Sequence, residues 1–235
     1  MKELKIVSEI LKNKDASESL SLLAEKFAGA VIFSSSLGLE DQIITDMIFR
    51  KNLGIEIFSI DTGRLFPETE LLLQKTNDFY GRKIRVYQPD SQMVTKLVAA
   101  KGSHSFYDSV ENRKECCFIR KVEPLYRALA GFKIWITGIR AEQSVARNVV
   151  DTLEWDEHRK IIKFHPLIFW NLQKVKTYIS DHNIPYNPMH DRGFPSVGCE
   201  PCTRAIKDGE EGRAGRWWWE QNENKECGLH IHNKK

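Results

Sequence analysis

The sequence predicts an α/β fold with an open, mostly parallel sheet flanked by helices, followed by a flexible C-terminal tail. Two observations support this prediction. Short apolar runs alternate with helical patterns through the first two-thirds of the chain, and polar segments follow several of these runs. After Pro185 the composition shifts to proline, glycine and charged residues. We therefore expect an α/β domain over residues 1–206 and a lid segment over residues 207–235.

The predicted strands are short and apolar, as buried strands of a parallel sheet are. They cover residues 30–33, 55–60, 84–87, 132–138 and 160–164. The predicted helices carry apolar residues at helical spacing, and Pro67 opens one of them, since proline suits a first turn. They cover residues 16–28, 39–49, a segment that begins at 67, 118–130 and 171–182.

Composition and charge narrow the functional classes. The chain has 235 residues, 41% of them hydrophobic, and a formal net charge of +3. This near balance of charge gives no support to nucleic-acid binding. The longest stretch without a charged side chain is 27–39, which is 13 residues and too short for a membrane-spanning helix. Charges at the N-terminus indicate no signal peptide, so we expect a cytoplasmic protein without membrane contact.

The cysteines carry the strongest chemical signal in the sequence. Cys116 and Cys117 are adjacent, Cys199 and Cys202 form a Cys-Glu-Pro-Cys pair, and Cys227 stands alone near the C-terminus. An odd number in a long chain argues against a disulfide framework. Two pairs brought together by folding would make a four-thiolate metal or iron–sulfur site. Zinc is the alternative, but adjacent cysteines do not fit its usual ligand spacing, which favours iron–sulfur.

Polar loops follow three of the predicted strands. They are Ser34–Gly38, Asp61–Arg64 and Gly138–Ser144, with Arg147 a turn beyond the last. In an open parallel sheet, ligands bind at the carboxyl ends of the strands, so we expect one shared ligand at these loops. Hydroxyls and backbone amides at a helix N-terminus suit a phosphate or a sulfate. The glycine fingerprint of dinucleotide-binding folds and the Walker A sequence are both missing from the sequence.

Taken together, these segments resemble the family of assimilatory adenylyl-sulfate and phosphoadenylyl-sulfate reductases. The matching segments occur in the family's order over nearly the whole chain. They are residues 34–38, 60–64, 116–121, 138–140, 199–202, 215–220 and 225–230. The chain looks most like the adenylyl-sulfate reductases, which are thioredoxin-dependent. The serine loop also resembles that of ATP pyrophosphatases, but their Ser-Gly-Gly-x-Asp-Ser sequence is not present.

The resemblance implies an adenine-nucleotide alpha-hydrolase-like fold and the reduction of adenosine 5′-phosphosulfate to sulfite and AMP. It implies a [4Fe–4S] cluster on Cys116, Cys117, Cys199 and Cys202, and thioredoxin or a glutaredoxin-like donor as the redox partner. Cys227 would attack the sulfur, and the resemblance suggests that nearby basic residues stabilise charge. These are Lys121, Arg213, Arg216 and His230. The nucleotide ligands would be Ser34, Ser35, Ser36, Asp61, Gly63, Arg64, Gly138, Arg140 and Arg147.

Three alternatives stay open at this point. A reductase of 3′-phosphoadenosine 5′-phosphosulfate would share the mechanism, a tRNA-thiolating sulfur transferase would share a related fold, and a zinc-stabilised binding module would have no catalysis. The oligomeric state is also open, a homo-oligomer included. Trp217–Trp219 suits either an adenine-stacking platform or an anchor for the base of the tail, and we favour the anchor.

Overall fold

A computed structural model describes residues 2–144, 147 and 150–220. The chain divides into two compact units, each built from several segments. Unit 1 comprises Met1–Ser59, Pro67–Arg85 and Gly131–Pro188, and unit 2 comprises Ile60–Phe66, Val86–Ala130 and Met189–Lys235. The expected boundary between residues 206 and 207 remains a prediction, because residues 221–235 lie outside the described part of the chain.

The sheet has six strands and is mostly parallel, as the sequence predicted. The strands are β1 (Val31–Ser34), β2 (Glu56–Ile60), β3 (Arg85–Tyr87), β4 (Ile134–Ile136), β5 (Leu153–Asp156) and β6 (Ile161–Phe164). Their spatial order is β3-β2-β1-β4-β6-β5. Strand β1 pairs in parallel with β2 and β4, β4 pairs in parallel with β6, and only the β5–β6 pairing is recorded as antiparallel.

Eight α-helices are described. They are α1 (Lys2–Leu11), α2 (Ala16–Lys26), α3 (Leu39–Arg50), α4 (Pro67–Tyr80), α5 (Ser91–Lys101), α6 (Val110–Cys117), α7 (Glu123–Leu129) and α8 (Leu172–His182). The predicted helix over 118–130 was wrong in its start. A helix already begins at Val110, and a π-helical turn over Phe118–Val122 joins it to α7. Among the described helices, none is long and apolar enough to cross a lipid bilayer.

The core of unit 1 surrounds the central strands. Ile32, Phe33, Ile134 and Ile136 on β1 and β4 are completely buried. Apolar residues of α3 pack into the same cluster, which fixes that helix directly after β1. The carboxyl ends of two neighbouring parallel strands, and the loops that follow them, are therefore held by a rigid apolar core.

Unit 2 has a smaller core of unusual composition. Phe106 and Trp217 are almost completely buried there, and they pack with Cys116, Cys117, Cys199 and Cys202. Four sulfur atoms thus form part of this core.

Candidate functional site

All four predicted ligand cysteines line one cavity in unit 2. Cys116 and Cys117 end helix α6, and Cys199 and Cys202 flank a short 3-10 turn. The cavity is also lined by Phe106 and by basic side chains, namely Arg64, Arg113, Arg120 and Lys121. All four cysteines are buried, and none of them forms a disulfide bond. Folding therefore brings together the two cysteine pairs, as their spacing led us to expect.

A π-helical turn follows the adjacent cysteines directly. Cys116 and Cys117 are the last two residues of α6, and the wider turn at Phe118–Val122 changes the helical phase after them. Arg120 and Lys121, which lie in this turn, line the cavity together with the two cysteines. Such turns occur often at functional sites.

The surroundings of the cavity shift the pKa values of Cys199 and Cys202 in opposite directions. Burial opposes ionisation of Cys199, but Lys121, the Thr62 hydroxyl and Arg216 together hold its pKa below the usual range. The Thr62 Oγ1 lies 3.2 Å from the Cys199 Sγ. Burial and the charge of Cys199 raise the pKa of Cys202 to about 12. A bound cation would offset the unfavourable accumulation of negative charge on these thiols.

Several buried donors near these thiols have no acceptor among the described residues. They are the Arg120 Nε, the Arg216 Nε, and the indole Nε1 atoms of Trp217 and Trp219. Trp217 packs directly with the cysteines, and Trp219 packs against that cluster. Unsatisfied buried N–H groups are costly, and thiolates and inorganic sulfides are acceptors that would relieve the cost. The surroundings of the thiols therefore fit an anionic thiolate-bound group.

In the described part of the chain, no group of three or more His, Cys, Asp or Glu side chains is arranged to hold a metal ion. A zinc ion needs its ligands at one centre, whereas each thiolate of an iron–sulfur cluster binds its own iron. The adjacent pair Cys116 and Cys117 does not have the ligand spacing that is usual for zinc.

The loop after β2 belongs to the wall of this cavity. Asp61 accepts a hydrogen bond from the Gly63 N–H at 2.8 Å, and Gly63 has a positive φ of 66°. The Arg120 Nη1 donates to the Thr62 carbonyl at 2.7 Å. Arg64 lies over the Phe106 ring, with its Cζ 4.9 Å from the ring centroid. Asp61, Gly63 and Arg64, expected as nucleotide ligands, thus lie in unit 2 beside the cysteines.

The segment that leads to the tail is fixed within unit 2. Trp217 is 1% exposed and lies between two guanidinium groups, since the Cζ atoms of Arg113 and Arg216 are 4.8 and 4.9 Å from the ring centroid. Arg113 and Glu220 form a buried bidentate pair at 2.8 and 2.7 Å. The anchoring interpretation is confirmed for Trp217, whereas Trp218 is half-exposed. Arg213 is described as part-buried, and Cys227 and His230 lie outside the described residues.

The serine loop of unit 1 is closed by its own hydrogen bonds. The Ser36 N–H and the Ser36 Oγ both donate to the Asp41 Oδ2 at 2.6 Å. Ser35 donates its N–H to the Phe58 carbonyl, and its Oγ accepts from the Leu37 N–H. The Ser34 Oγ accepts from the Trp135 indole at 2.7 Å. Asp41, which was not among the predicted site residues, is the acceptor at the centre of this loop.

Asp41 is buried, and burial raises its pKa to about 6, while hydrogen bonds from Ser36 and the Gly38 backbone partly oppose that rise. Its other oxygen lies against Gly138. A Cβ added at Gly138 would stand 2.0 Å from the Asp41 Oδ1, so this position accepts no side chain. The loops after β1 and β4 therefore meet at one carboxylate.

The predicted phosphate ligands Arg140 and Arg147 are engaged within unit 1. The Arg140 Nε donates to Glu40 at 2.6 Å, and its Nη1 donates to Glu142 at 2.9 Å. Arg147 donates to the Gln143 side chain. Both arginines are largely buried. Two carboxylates therefore already neutralise Arg140 before any ligand binds.

A mostly parallel sheet with polar loops at its strand ends is typical of an α/β enzyme, and four buried thiols line one cavity of this chain. Comparison with known proteins is consistent with this class. The family model of the phosphoadenosine phosphosulfate reductase domain matches residues 30–205. The chain belongs to this family, and it is an oxidoreductase that acts on a sulfur group.

Two curated relatives illustrate the similarity. The adenosine 5′-phosphosulfate reductase of Allochromatium vinosum is 49% identical over 201 residues, which cover 86% of this chain and 78% of the relative. The protein of the same name from Sinorhizobium fredii strain USDA 257 is 45% identical over 229 residues, covering 97% of this chain and 91% of the relative. Among solved structures, the phosphoadenylyl-sulfate reductase of Candida auris in a phosphate complex has a TM-score of 0.70 and 26% identity, covering 88% of this chain and 97% of that one.

The first prediction concerns Asp41 and pH. Its pKa rises from 3.8 to about 6 in the folded protein, so the charged form of Asp41 lowers the free energy of unfolding. This destabilisation is absent below pH 3.8, increases as the pH rises, and is complete above about pH 6. We expect Asp41→Asn to gain stability relative to the wild type, by on the order of 3 kcal/mol, between pH 4 and pH 7. Urea unfolding of both proteins across this range measures the difference. A difference that stays constant with pH contradicts the assigned shift.

The second prediction concerns the Arg113–Glu220 pair. Glu220→Gln leaves a buried guanidinium without its counter-charge, so we expect a loss of about 3–5 kcal/mol in the free energy of unfolding. The matched control is Glu210→Gln, because Glu210 also binds an arginine, Arg204, through two oxygens but lies about one-quarter to one-third exposed. There we expect a much smaller loss, because water screens the charges of this pair. Equal losses in the two variants, measured by urea unfolding, would show that burial of the first pair is unimportant.

Proposed function

We propose that this protein reduces adenosine 5′-phosphosulfate to sulfite and AMP, with thioredoxin or a glutaredoxin-like dithiol protein as electron donor. The observation that carries the proposal is the convergence of four thiols on one cavity in a chain whose curated relatives are named adenosine 5′-phosphosulfate reductases. Those four cysteines leave Cys227 as the fifth thiol of the sequence. Four cysteines that bind a metal centre and one reactive cysteine would together supply the groups that the reaction requires.

The first step is a nucleophilic substitution at sulfur. The thiolate of Cys227 attacks the sulfur of the phosphosulfate, an S–S bond forms, and the bond between sulfur and the phosphate oxygen breaks. AMP leaves with the bonding electron pair. The enzyme then carries an S-sulfocysteine at Cys227.

The second step needs two electrons from outside the chain. A thiolate of reduced thioredoxin attacks the Cys227 sulfur and expels sulfite, which leaves a mixed disulfide between the two proteins. The second thiol of the donor then releases Cys227 and closes the donor's own disulfide. Because Cys116, Cys117, Cys199 and Cys202 are assigned to the cavity, no further cysteine of this chain is available for that step. A reducing cytoplasm is the setting in which such a donor operates.

The reaction brings a thiolate toward an anionic substrate, so cations must offset the repulsion. We assign this role to Lys121, Arg213, Arg216 and His230. Support for Lys121 and Arg216 comes from their electrostatic contact with Cys199, because both help to lower the pKa of that thiol. Positive charge at these two positions is thus already used to stabilise anionic sulfur. His230 and Cys227 enter the proposal from the sequence alone.

A [4Fe–4S] cluster would be held by Cys116, Cys117, Cys199 and Cys202. When bound, it would supply a cationic core that neutralises four buried thiolates and contributes to the electrostatics around them. Lys121 faces Cys199 and follows the adjacent cysteines by one helical turn, which makes it our candidate for coupling this centre to the substrate. The unsatisfied donors of Arg120, Arg216 and the two indoles support the same assignment.

A reductase of 3′-phosphoadenosine 5′-phosphosulfate is the second candidate function. It is favoured by the similarity to the solved phosphoadenylyl-sulfate reductase of Candida auris. The two candidates share every chemical step and differ only in whether the ribose carries a 3′-phosphate. Discrimination between them therefore depends on the residues that contact the sugar.

The third prediction tests the covalent step. Anaerobic protein incubated with adenosine 5′-phosphosulfate, without any donor, should gain the mass of one sulfonate group at Cys227, as read by intact-protein and peptide mass spectrometry. Reduced thioredoxin should remove this mass and release sulfite. Parallel incubation with the 3′-phosphorylated nucleotide ranks the two substrates. An absence of adduct from both nucleotides would overturn the proposed mechanism.

The fourth prediction separates the two sulfur sites with a matched pair of variants. Cys116→Ser removes a ligand from the cavity, so we expect protein that is poor in iron and that forms little adduct. Cys227→Ser makes the same atomic change outside the quartet, so we expect full iron content and no adduct. Iron analysis and the adduct assay measure both properties. Iron-free Cys116→Ser protein with wild-type adduct formation would refute the dependence on the metal centre.

A further inference from the structure

Arg216 is a buried guanidinium without a carboxylate partner among the described residues. It is 6% exposed, and its recorded hydrogen-bond acceptor in that part of the chain is the Val197 carbonyl, 3.1 Å from the Nη1. The Nε donates to no described atom. Arg113, the other guanidinium beside Trp217, is instead neutralised by Glu220. Burial of a charge without its counter-charge is costly, so the placement of Arg216 indicates that an anionic partner completes it.

The backbone around Arg216 is held in place. Arg216 and Thr203 form an isolated antiparallel bridge, and the Trp217 N–H donates to the Cys202 carbonyl at 3.1 Å. The Cα of Arg216 therefore has a fixed position beside the segment that carries two of the cavity cysteines. Only rotations within the side chain decide where the positive charge lies.

Gly198 restricts those rotations. A Cβ built on Gly198 would overlap with the Cζ and both Nη atoms of Arg216. These three atoms lie in the guanidinium plane, so the plane packs against the glycine backbone, directly before Cys199. Such a close approach requires a residue without a side chain. The overlapping atoms belong to the tip of a long side chain, so an added methyl group would displace the guanidinium and leave the backbone in place.

The nearby Gly215 has a different reason to lack a side chain. A Cβ at Gly215 would overlap with the Arg204 carbonyl, which is part of the backbone and cannot rotate away. Substitution of Gly215 would therefore disturb the path of the chain. Substitution of Gly198 would instead disturb the position of one charge.

We propose that Gly198 is a positioning residue for Arg216 and orients the guanidinium so that its unused N–H donors face the reacting sulfur group. The inference rests on the proposed function, in which Arg216 offsets the repulsion between the Cys227 thiolate and the substrate. A guanidinium carries several N–H groups in a rigid fork, and among the described residues the recorded acceptor takes only one of them. The Trp217 ring, with its centroid 4.9 Å from the Cζ, supports the same orientation.

The first experiment measures how fast the sulfonate adduct forms at Cys227. Anaerobic holoenzyme is mixed with increasing concentrations of adenosine 5′-phosphosulfate, without a donor protein, and the adduct is followed by mass spectrometry. We expect Gly198→Ala to lower the rate at saturation at least about tenfold, with a smaller change in the half-saturating concentration, because the displaced charge no longer assists the attack. The matched control is Gly212→Ala, whose added Cβ would have no atom within 4 Å. Its rate should equal that of the wild type.

A double-mutant cycle shows whether Gly198 acts through Arg216. Arg216→Ala removes the guanidinium, so the addition of Gly198→Ala should slow adduct formation by less than about twofold further. The same four proteins are unfolded in urea, which needs no catalysis. The change in midpoint caused by Gly198→Ala should be more unfavourable in the wild-type background than in Arg216→Ala. Equal changes in the two backgrounds, in rate or in midpoint, overturn the proposal.

The folding of the variants is informative as well. If Gly198→Ala fails to fold, the double variant with Arg216→Ala should still fold, because the overlapping guanidinium is then missing. Failure of the double variant to fold, while Arg216→Ala alone folds, would show that the backbone itself requires glycine and would refute the positioning role.

The proposed function and this inference fail in different ways. If the wild type forms no adduct with either nucleotide, the proposed function is wrong, and the role of Gly198 in the reaction is refuted with it. If the wild type forms the adduct and folded Gly198→Ala forms it at the same rate, the function stands and only the positioning role is refuted. A loss in Gly212→Ala equal to that in Gly198→Ala also refutes it, because the effect would then not depend on contact with Arg216.

Discussion

The accumulation of negative charge on four buried sulfur atoms is the constraint on which unit 2 depends. Burial disfavours a thiolate, and each ionised cysteine makes the next harder to ionise, as the raised pKa of Cys202 illustrates. Basic side chains around the cavity offset this charge, namely Arg64, Arg120 and Lys121. Buried N–H donors that have no acceptor among the described residues lie near the same thiols. These features have a common explanation if the thiols bind a cationic cluster. The π-helical turn, the loop after β2 and the buried Trp217 then become parts of one support for that group.

In unit 1, carboxylates lie at the ends of the central strands. Its serine loop closes on Asp41, and Arg140 is occupied by two glutamates, so the ends of β1 and β4 are rich in acceptors. Basic side chains therefore gather around the thiols of unit 2, whereas acidic side chains occupy the strand ends of unit 1.

Much of this organisation could be predicted from the sequence, for identifiable reasons. The central strands were predicted well because they are uninterrupted apolar runs, and the four cysteines because paired thiols are rare and chemically distinctive. Helix α6 escaped prediction because Val110–Cys117 is mostly polar and has no apolar period. The antiparallel edge strand β5 was not predicted, because its alternation of apolar and polar residues extends over only four residues. Asp41 escaped notice because an acidic residue in a first helical turn is ordinary in sequence. Only the folded chain brings its carboxylate to Ser36 and Gly138.

We propose that the cavity of unit 2 holds an iron–sulfur cluster. Elemental analysis of the protein purified without oxygen, with iron, acid-labile sulfide and zinc measured on one sample, tests this proposal directly. We expect about four irons and about four sulfides per chain, with negligible zinc. One zinc per chain with neither iron nor sulfide would refute the proposal, because a single ion would then satisfy the thiols that we assign to a cluster.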